Sequence, residues 1–153
     1  MQIKVTNLAF SKNDHLVKTL KDNFPNTVVN SEGTRLNGDA LIKFVSKADG
    51  VIVGLELIND EILKQLPNLK IISKFGVGLD NIDLEACKRH GVEVGWTGGV
   101  NKNSVAEMAL GFMLMLSRNL FTTANQLKSG TWNKSGGFSL PSRTVGIIGI
   151  VSS

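Results

Sequence analysis

Apolar positions along this chain recur in two alternating patterns. Short β-branched runs at Ile3 to Thr6, Val28 to Asn30, Val51 to Val53, Lys70 to Ser73 and Val92 to Val94 are each bounded by Gly, Pro or Asn, and they read as strands. Between them lie segments whose apolar residues fall at helical spacing: Leu16, Val17, Leu20 and Phe24, then Leu41, Ile42 and Val45, then Ile62, Leu63 and Leu66, and finally Ile82 and Ala86. Strand and helix therefore alternate through the first hundred residues.

A chain of this kind is α/β, because parallel strands joined by right-handed helical crossovers bury both sheet faces. The pattern predicts a flavodoxin-like open parallel sheet in the order 2-1-3-4-5, with ligands collecting at the carboxyl ends of the strands. The Gly95-Trp-Thr-Gly-Gly-Val100 stretch breaks the alternation and reads as a hinge, dividing the chain into residues 1–99 and 100–153. Beyond it, Ser104-Val-Ala-Glu107 has the form of a capping box, which predicts a helix start at Ser104. That helix continues through Met108, Leu110, Phe112, Met113, Leu114, Met115 and Leu116, apolar almost all the way round, and so requires neighbours on more than one side. A second helix over Leu120 to Lys128 stops at Gly130, and Thr144-Val-Gly-Ile-Ile-Gly149-Ile150 reads as a last strand.

Composition narrows the class. In 153 residues, 42% are hydrophobic and 20% charged, as expected of a globular domain with one sizeable core. Neither Met108 to Leu116 nor the amino terminus has the apolar length of a membrane span or signal peptide, so a cytoplasmic location is expected. The lone Cys87 has no partner for a disulfide and reads as a buried structural thiol. The net charge of +4 is spread over scattered lysines without interleaved aromatic residues, which argues against nucleic-acid binding. His15 falls at a helix start and His90 at a helix end, and two distant histidines with one cysteine assemble neither a metal site nor a nucleophilic triad.

Chemistry concentrates in one loop. Phe75-Gly76-Val77-Gly78 follows a strand, and its amides, freed from Cβ crowding, can form an anion-binding nest; the same residues also suit a plain tight turn. Lys74, just before the loop, is placed either to pair with a carboxylate or to sit in solvent. Asp80-Asn-Ile-Asp83 reads as a turn that ends in the helix cap Asp83. Thr144 to Ile150 looks like the strand leading into a Gly-x-Gly-x-x-Gly phosphate loop, but only Gly149 is in place, since the second glycine falls at Val151 and the third beyond Ser153.

Taken together, Pro67-Asn-Leu-Lys-Ile-Ile-Ser-Lys-Phe-Gly-Val-Gly-Leu-Asp-Asn-Ile-Asp83, Ser104-Val-Ala-Glu-Met-Ala-Leu110, Arg118, Gly130-Thr-Trp132 and Thr144-Val-Gly-Ile-Ile-Gly149 resemble, in order and spacing, the phosphoglycerate-dehydrogenase-like D-isomer-specific 2-hydroxyacid dehydrogenases. The resemblance implies that residues 1–99 are a substrate domain in which Lys74, Gly76, Val77 and Gly78 hold the carboxylate of a small 2-hydroxy or 2-keto acid. It further implies that residues 100–153 begin an NAD-binding Rossmann domain, with Asn103, Val105, Glu107 and Gly149 in cofactor or hinge roles. The Arg and the Glu-assisted His of the family's hydride-transfer chemistry have no counterparts up to residue 153. Gly54-Leu55-Glu56 stands where phosphoglycerate dehydrogenases carry an Arg-Ser-type pair, which disfavours phosphoglycerate. The expectation is a truncated, inactive oxidoreductase fragment that forms a homodimer through residues 104–118 and 144–150; the competing expectation is a non-catalytic dimerisation or ligand-binding protein of the same descent.

Overall fold

Pairing register decides which sheet face becomes the core. The structure, a computed structural model, describes residues 1–149. Five strands, β1 (Ile3–Val5), β2 (Val28–Val29), β3 (Gly50–Val53), β4 (Ile71–Lys74) and β5 (Glu93–Gly95), pair in parallel in the order β2-β1-β3-β4-β5. Val51 is paired with Ile72 and Ile72 with Val94, so these three side chains line one face. Against that face pack Leu41 and Val45 of α3 (Gly38–Val45), Ile62 and Leu63 of α4 (Asp60–Leu63), and Ala86 and Cys87 of α5 (Leu84–Arg89). The predicted α/β class and strand order are those observed.

Side-chain caps start most of these helices. Asn7 accepts from the Phe10 amide at the head of α1 (Leu8–Ser11), Asn13 from Leu16 at the head of α2 (Asp14–Asn23), Asn59 from Ile62 before α4, and Asp83 from Ala86 before α5. Each such cap is worth about 1 kcal/mol, because it satisfies an amide that the helix cannot. His90 closes α5 and Gly91 follows with φ +68°, a left-handed turn suited to glycine. Pro67 prevents α4 from extending through Leu66, so a predicted helix becomes a single turn. The connection between β1 and α2 contains the short helix α1.

The second compact unit begins at Gly99 and contains α6 (Lys102–Ser117) and α7 (Leu120–Lys128). Its geometry corrects two expectations. A turn at Gly99, with the Lys102 amide on the Gly99 carbonyl at 3.1 Å, runs directly into α6, so the N-cap is Asn101, without a side-chain bond. Ser104 is the third helical residue and the Ser104/Glu107 capping box does not form. Residues 144–149 form no strand, because no neighbouring strand accepts their backbone groups among the described residues. Ile150, Val151 and Ser153, on which the rest of the glycine-loop reading fell, lie outside the described residues. Gly137 passes so close to the Ser117 carbonyl that a Cβ there would be 2.0 Å from its oxygen, and the Phe138 amide donates to the same oxygen. No helix among the described residues is long and apolar enough to cross a membrane.

Asp60 ties the outer ends of α4 and α5 together. Its carboxylate meets Lys64 at 2.6 Å, the His90 Nε2 at 2.9 Å and Arg89 at 3.2 Å. Hydrogen bonds from Lys64, His90 and Arg89, in that order, hold its pKa well below the usual carboxylate range. A carboxyl depressed in the folded state stabilises the fold above its unfolded pKa and loses that effect as the pH falls toward its folded value. Asp60→Asn is therefore expected to lower the melting temperature at pH 7. The melting curves of variant and parent should converge as the pH is taken below about 4.

Candidate functional site

The carboxyl ends of β1, β3 and β4 meet around one glycine. Gly54, directly after β3, donates its amide to the Glu56 carboxylate at 2.6 Å, and its carbonyl accepts from both the Lys74 ammonium at 2.5 Å and the Asn81 amide at 3.2 Å. Asn81 also donates to the Glu56 carbonyl at 2.6 Å and accepts from Lys74 through its Oδ1. Glu56 is 2% exposed, so its charge requires the partners it has. On the other side, the Asn7 carboxamide lies so close over Gly54 that a Cβ there would be 2.0 Å from Asn7 Nδ2.

Lys74 is thus neither a free solvated lysine nor a lone cation waiting for a ligand. Burial lowers its pKa, while the charges of Asp80 and Glu56 act in the opposite direction. Two of its three ammonium hydrogens are directed at Gly54 and Asn81, which leaves one donor for a further partner.

The loop that follows is anchored at its edges and leaves its middle amides unused. The Phe75 amide still bonds to the Val53 carbonyl at 2.8 Å, but the next three amides, of Gly76, Val77 and Gly78, meet no acceptor among the described residues. Gly76 has φ +145°, a conformation that side-chain-bearing residues rarely adopt. Trp96, after β5, donates its indole N–H to the Val77 carbonyl at 2.9 Å and so fixes the loop from outside. Phe75 stacks edge-on against Phe10 of α1 at 5.4 Å between centroids. Lys74, Gly76, Val77 and Gly78 are therefore adjacent, with their unused donors at the carboxyl end of the sheet, where open α/β sheets bind ligands.

The remaining expected site residues fall in the second unit. Asn103, Val105 and Glu107 are exposed on the first turns of α6, and Gly149, at φ +85°, lies in irregular backbone. An NAD pyrophosphate requires a strand, close-approaching glycines and a helix N-terminus. Of that motif, the described residues are 144–149, and they form no strand or helix. His15 and His90 are on α2 and at the end of α5, and His90 bonds to Asp60. Burial and the nearby Asp83 push the Cys87 thiol up, as befits a packed core thiol rather than a nucleophile.

Sequence reasoning missed Asn7, Glu56 and Asn81. Glu56 carried a signal, being an acid only three residues beyond the apolar run Val51 to Val53, but a glutamate after a strand ordinarily faces solvent. Asn81 was hidden inside a segment that also reads well as a simple turn.

Residues 7–144 match the sequence profile of the D-isomer specific 2-hydroxyacid dehydrogenase catalytic domain. The chain belongs to this family. Among its relatives is a hydroxypyruvate reductase of Thermotoga maritima, 38% identical over 117 residues, a match covering 74% of this chain and 38% of the relative. Another is a glyoxylate reductase of Pyrococcus horikoshii, 30% identical over 144 residues, covering 88% of this chain and 43% of the relative. The NAD+-bound 3-phosphoglycerate dehydrogenase of Entamoeba histolytica has a similar structure, with a TM-score of 0.66 and 33% identity over 79% of this chain and 40% of that one. Members of the family use NAD and act on small 2-hydroxy or 2-keto acids. The chain spans less than half the length of these relatives.

The close approach of Asn7 to Gly54 generates a double-mutant test. Gly54→Ala should displace the Asn7 side chain, break the α1 cap and lower stability by about 1 kcal/mol. In an Asn7→Ala background, where the cap is already gone, the same substitution should cost much less. Urea denaturation of the four proteins measures the coupling, and additive effects would contradict the contact.

Proposed function

We propose that residues 1–99 are the substrate-binding domain of an NAD-dependent D-2-hydroxyacid dehydrogenase and that residues 100–153 begin its cofactor domain. The observation that carries this reading is the row of three unused amides at Gly76, Val77 and Gly78 beside the remaining donor of Lys74. A carboxylate has lone pairs enough to accept from the nest and the ammonium together, and charge-assisted bonds of this kind are the strong ones. The matched relatives named for hydroxypyruvate and glyoxylate support a small 2-oxo acid as the ligand. With no cation at Gly54-Leu55-Glu56, phosphoglycerate is the less favoured substrate. His15 lies on α2 and His90 ends α5, where it bonds to Asp60, so neither histidine is assigned to proton transfer at the nest. We infer that this chain alone binds the acid without turning it over, and that NAD joins only where a complete phosphate loop is present.

In an NMR titration with glyoxylate, the amide signals of Gly76, Val77 and Gly78 should shift. Gly76→Val should remove those shifts while the core signals of β3 and β4 persist. Shifts absent from the parent chain would leave the loop a plain turn, and NADH oxidation with glyoxylate above background would overturn the inactive reading.

A second reading concerns association. On α6, Met108, Leu110, Phe112 and Leu114 are exposed and Leu116 is 77% exposed, with Glu107 the sole charged residue between Asn103 and Ser117. We infer that α6 pairs with α6 of a second copy, since a nearly uncharged apolar surface is complementary to itself in a two-fold contact. The expected homodimer includes residues 104–118, with 144–150 as a secondary contact. Sedimentation at micromolar concentration should show a dimer, and Leu116→Asp with Leu110→Asp should yield monomer; a monomeric parent chain would remove this reading.

A further inference from the structure

The nest accounts for the carboxylate of an acid but does not distinguish one small acid from another. We propose that Asn7 makes that distinction: its carboxamide nitrogen donates to a neutral oxygen, one carbon beyond the reacting carbon, on a singly charged 2-hydroxy or 2-oxo acid. Asn7 is then a specificity-determining residue of the site, and the proposal rests on the nest reading above.

Four observations carry it. The first is orientation: Asn7 Oδ1 accepts from the Phe10 amide at 2.8 Å, which assigns the other end of the carboxamide as the nitrogen. The second is position: that nitrogen lies over Gly54, whose carbonyl receives Lys74, and the capped turn meets the nest again where Phe10 stacks on Phe75, the residue before Gly76. The third is availability: Asn7 is only partly buried, and its Nδ2 has no acceptor among the described residues.

The fourth is charge. Lys74 faces Glu56 and Asp80, so the site's cation is already balanced by two carboxylates, and a ligand bearing a second anionic group finds nothing to neutralise it. Leu55, which follows Gly54, adds an apolar surface, 65% exposed, in the same place. A neutral donor beside an apolar surface suits a short acid with a hydroxyl and rejects a phosphorylated one. Gly54 is required for this arrangement, because a side chain there would occupy the position of the Asn7 nitrogen.

The test is an NMR titration of the chain, at constant ionic strength, with D-glycerate, D-lactate and 3-phosphoglycerate, read at Gly76 to Gly78. D-glycerate and D-lactate differ by the one hydroxyl that Asn7 would recognise. The parent chain should bind D-glycerate about five-fold more tightly than D-lactate, the effect of one neutral hydrogen bond, and 3-phosphoglycerate no more tightly than D-glycerate. Asn7→Ser keeps a helix cap but withdraws the nitrogen from Gly54, and it should bring the glycerate-to-lactate ratio close to one; Asn7→Thr, a second capping residue, should do the same. Equal affinities in the parent, a ratio that survives both substitutions, or tighter binding of 3-phosphoglycerate would overturn the assignment of Asn7 and leave the nest standing. Absence of shifts with all three acids would overturn the nest itself.

Discussion

Glu56 is a buried carboxylate, and the arrangement at the carboxyl end of the sheet follows from the need to satisfy it. A charge removed from water requires donors and a counter-charge within the protein. The Gly54 amide supplies the donor and Lys74 the counter-charge, relayed by the Gly54 carbonyl and the Asn81 side chain. Asn81, in turn, donates to the carbonyls of both Gly54 and Glu56. The ends of β3 and β4 and the turn before α5 are thereby joined by polar contacts rather than by packing. Losing one partner leaves the others underbonded, so the network holds as a unit.

That unit determines what the nest can be. Lys74 ends β4 and Gly76 opens the loop, so a lysine held by Gly54 and Asn81 also fixes where the loop departs from the sheet. Trp96 holds the far side through the Val77 carbonyl. Between these anchors the amides of Gly76, Val77 and Gly78 are held in place by contacts that do not use them. On the reading proposed above, a ligand would meet donors already arranged, with little ordering left to oppose binding.

The parts of this that were legible in the sequence are those that depend on repeating pattern. β-branched runs and helical spacing sufficed for the strand order β2-β1-β3-β4-β5, and Asp83 was readable as a cap because its partner, Ala86, is three residues away. The Gly76 loop was visible as a glycine pair after a strand, a pattern that suits a nest and a plain turn alike. What stayed hidden depends on pairs distant along the chain: Asn81 with Gly54, 27 residues apart, and Asn7 with Gly54. No local period marks such contacts. The Ser104 capping box failed for the opposite reason, since a local pattern was present but the turn from Gly99 had already started the helix at Lys102.

The two units differ in how they hold together, and this bears on the chemistry. The hydrophobic core runs from Leu36 to Val92, wholly within the first unit, whereas Ser117 alone is buried among the described residues of the second. Burial of large apolar side chains contributes on the order of 2 kcal/mol each, so the first unit has most of what a fold needs and the second has little. The contacts described around Gly54 and the Gly76 loop, from Asn7 to Trp96, also lie in the first unit. On the reading proposed above, the acid site is ordered by the first unit's own contacts.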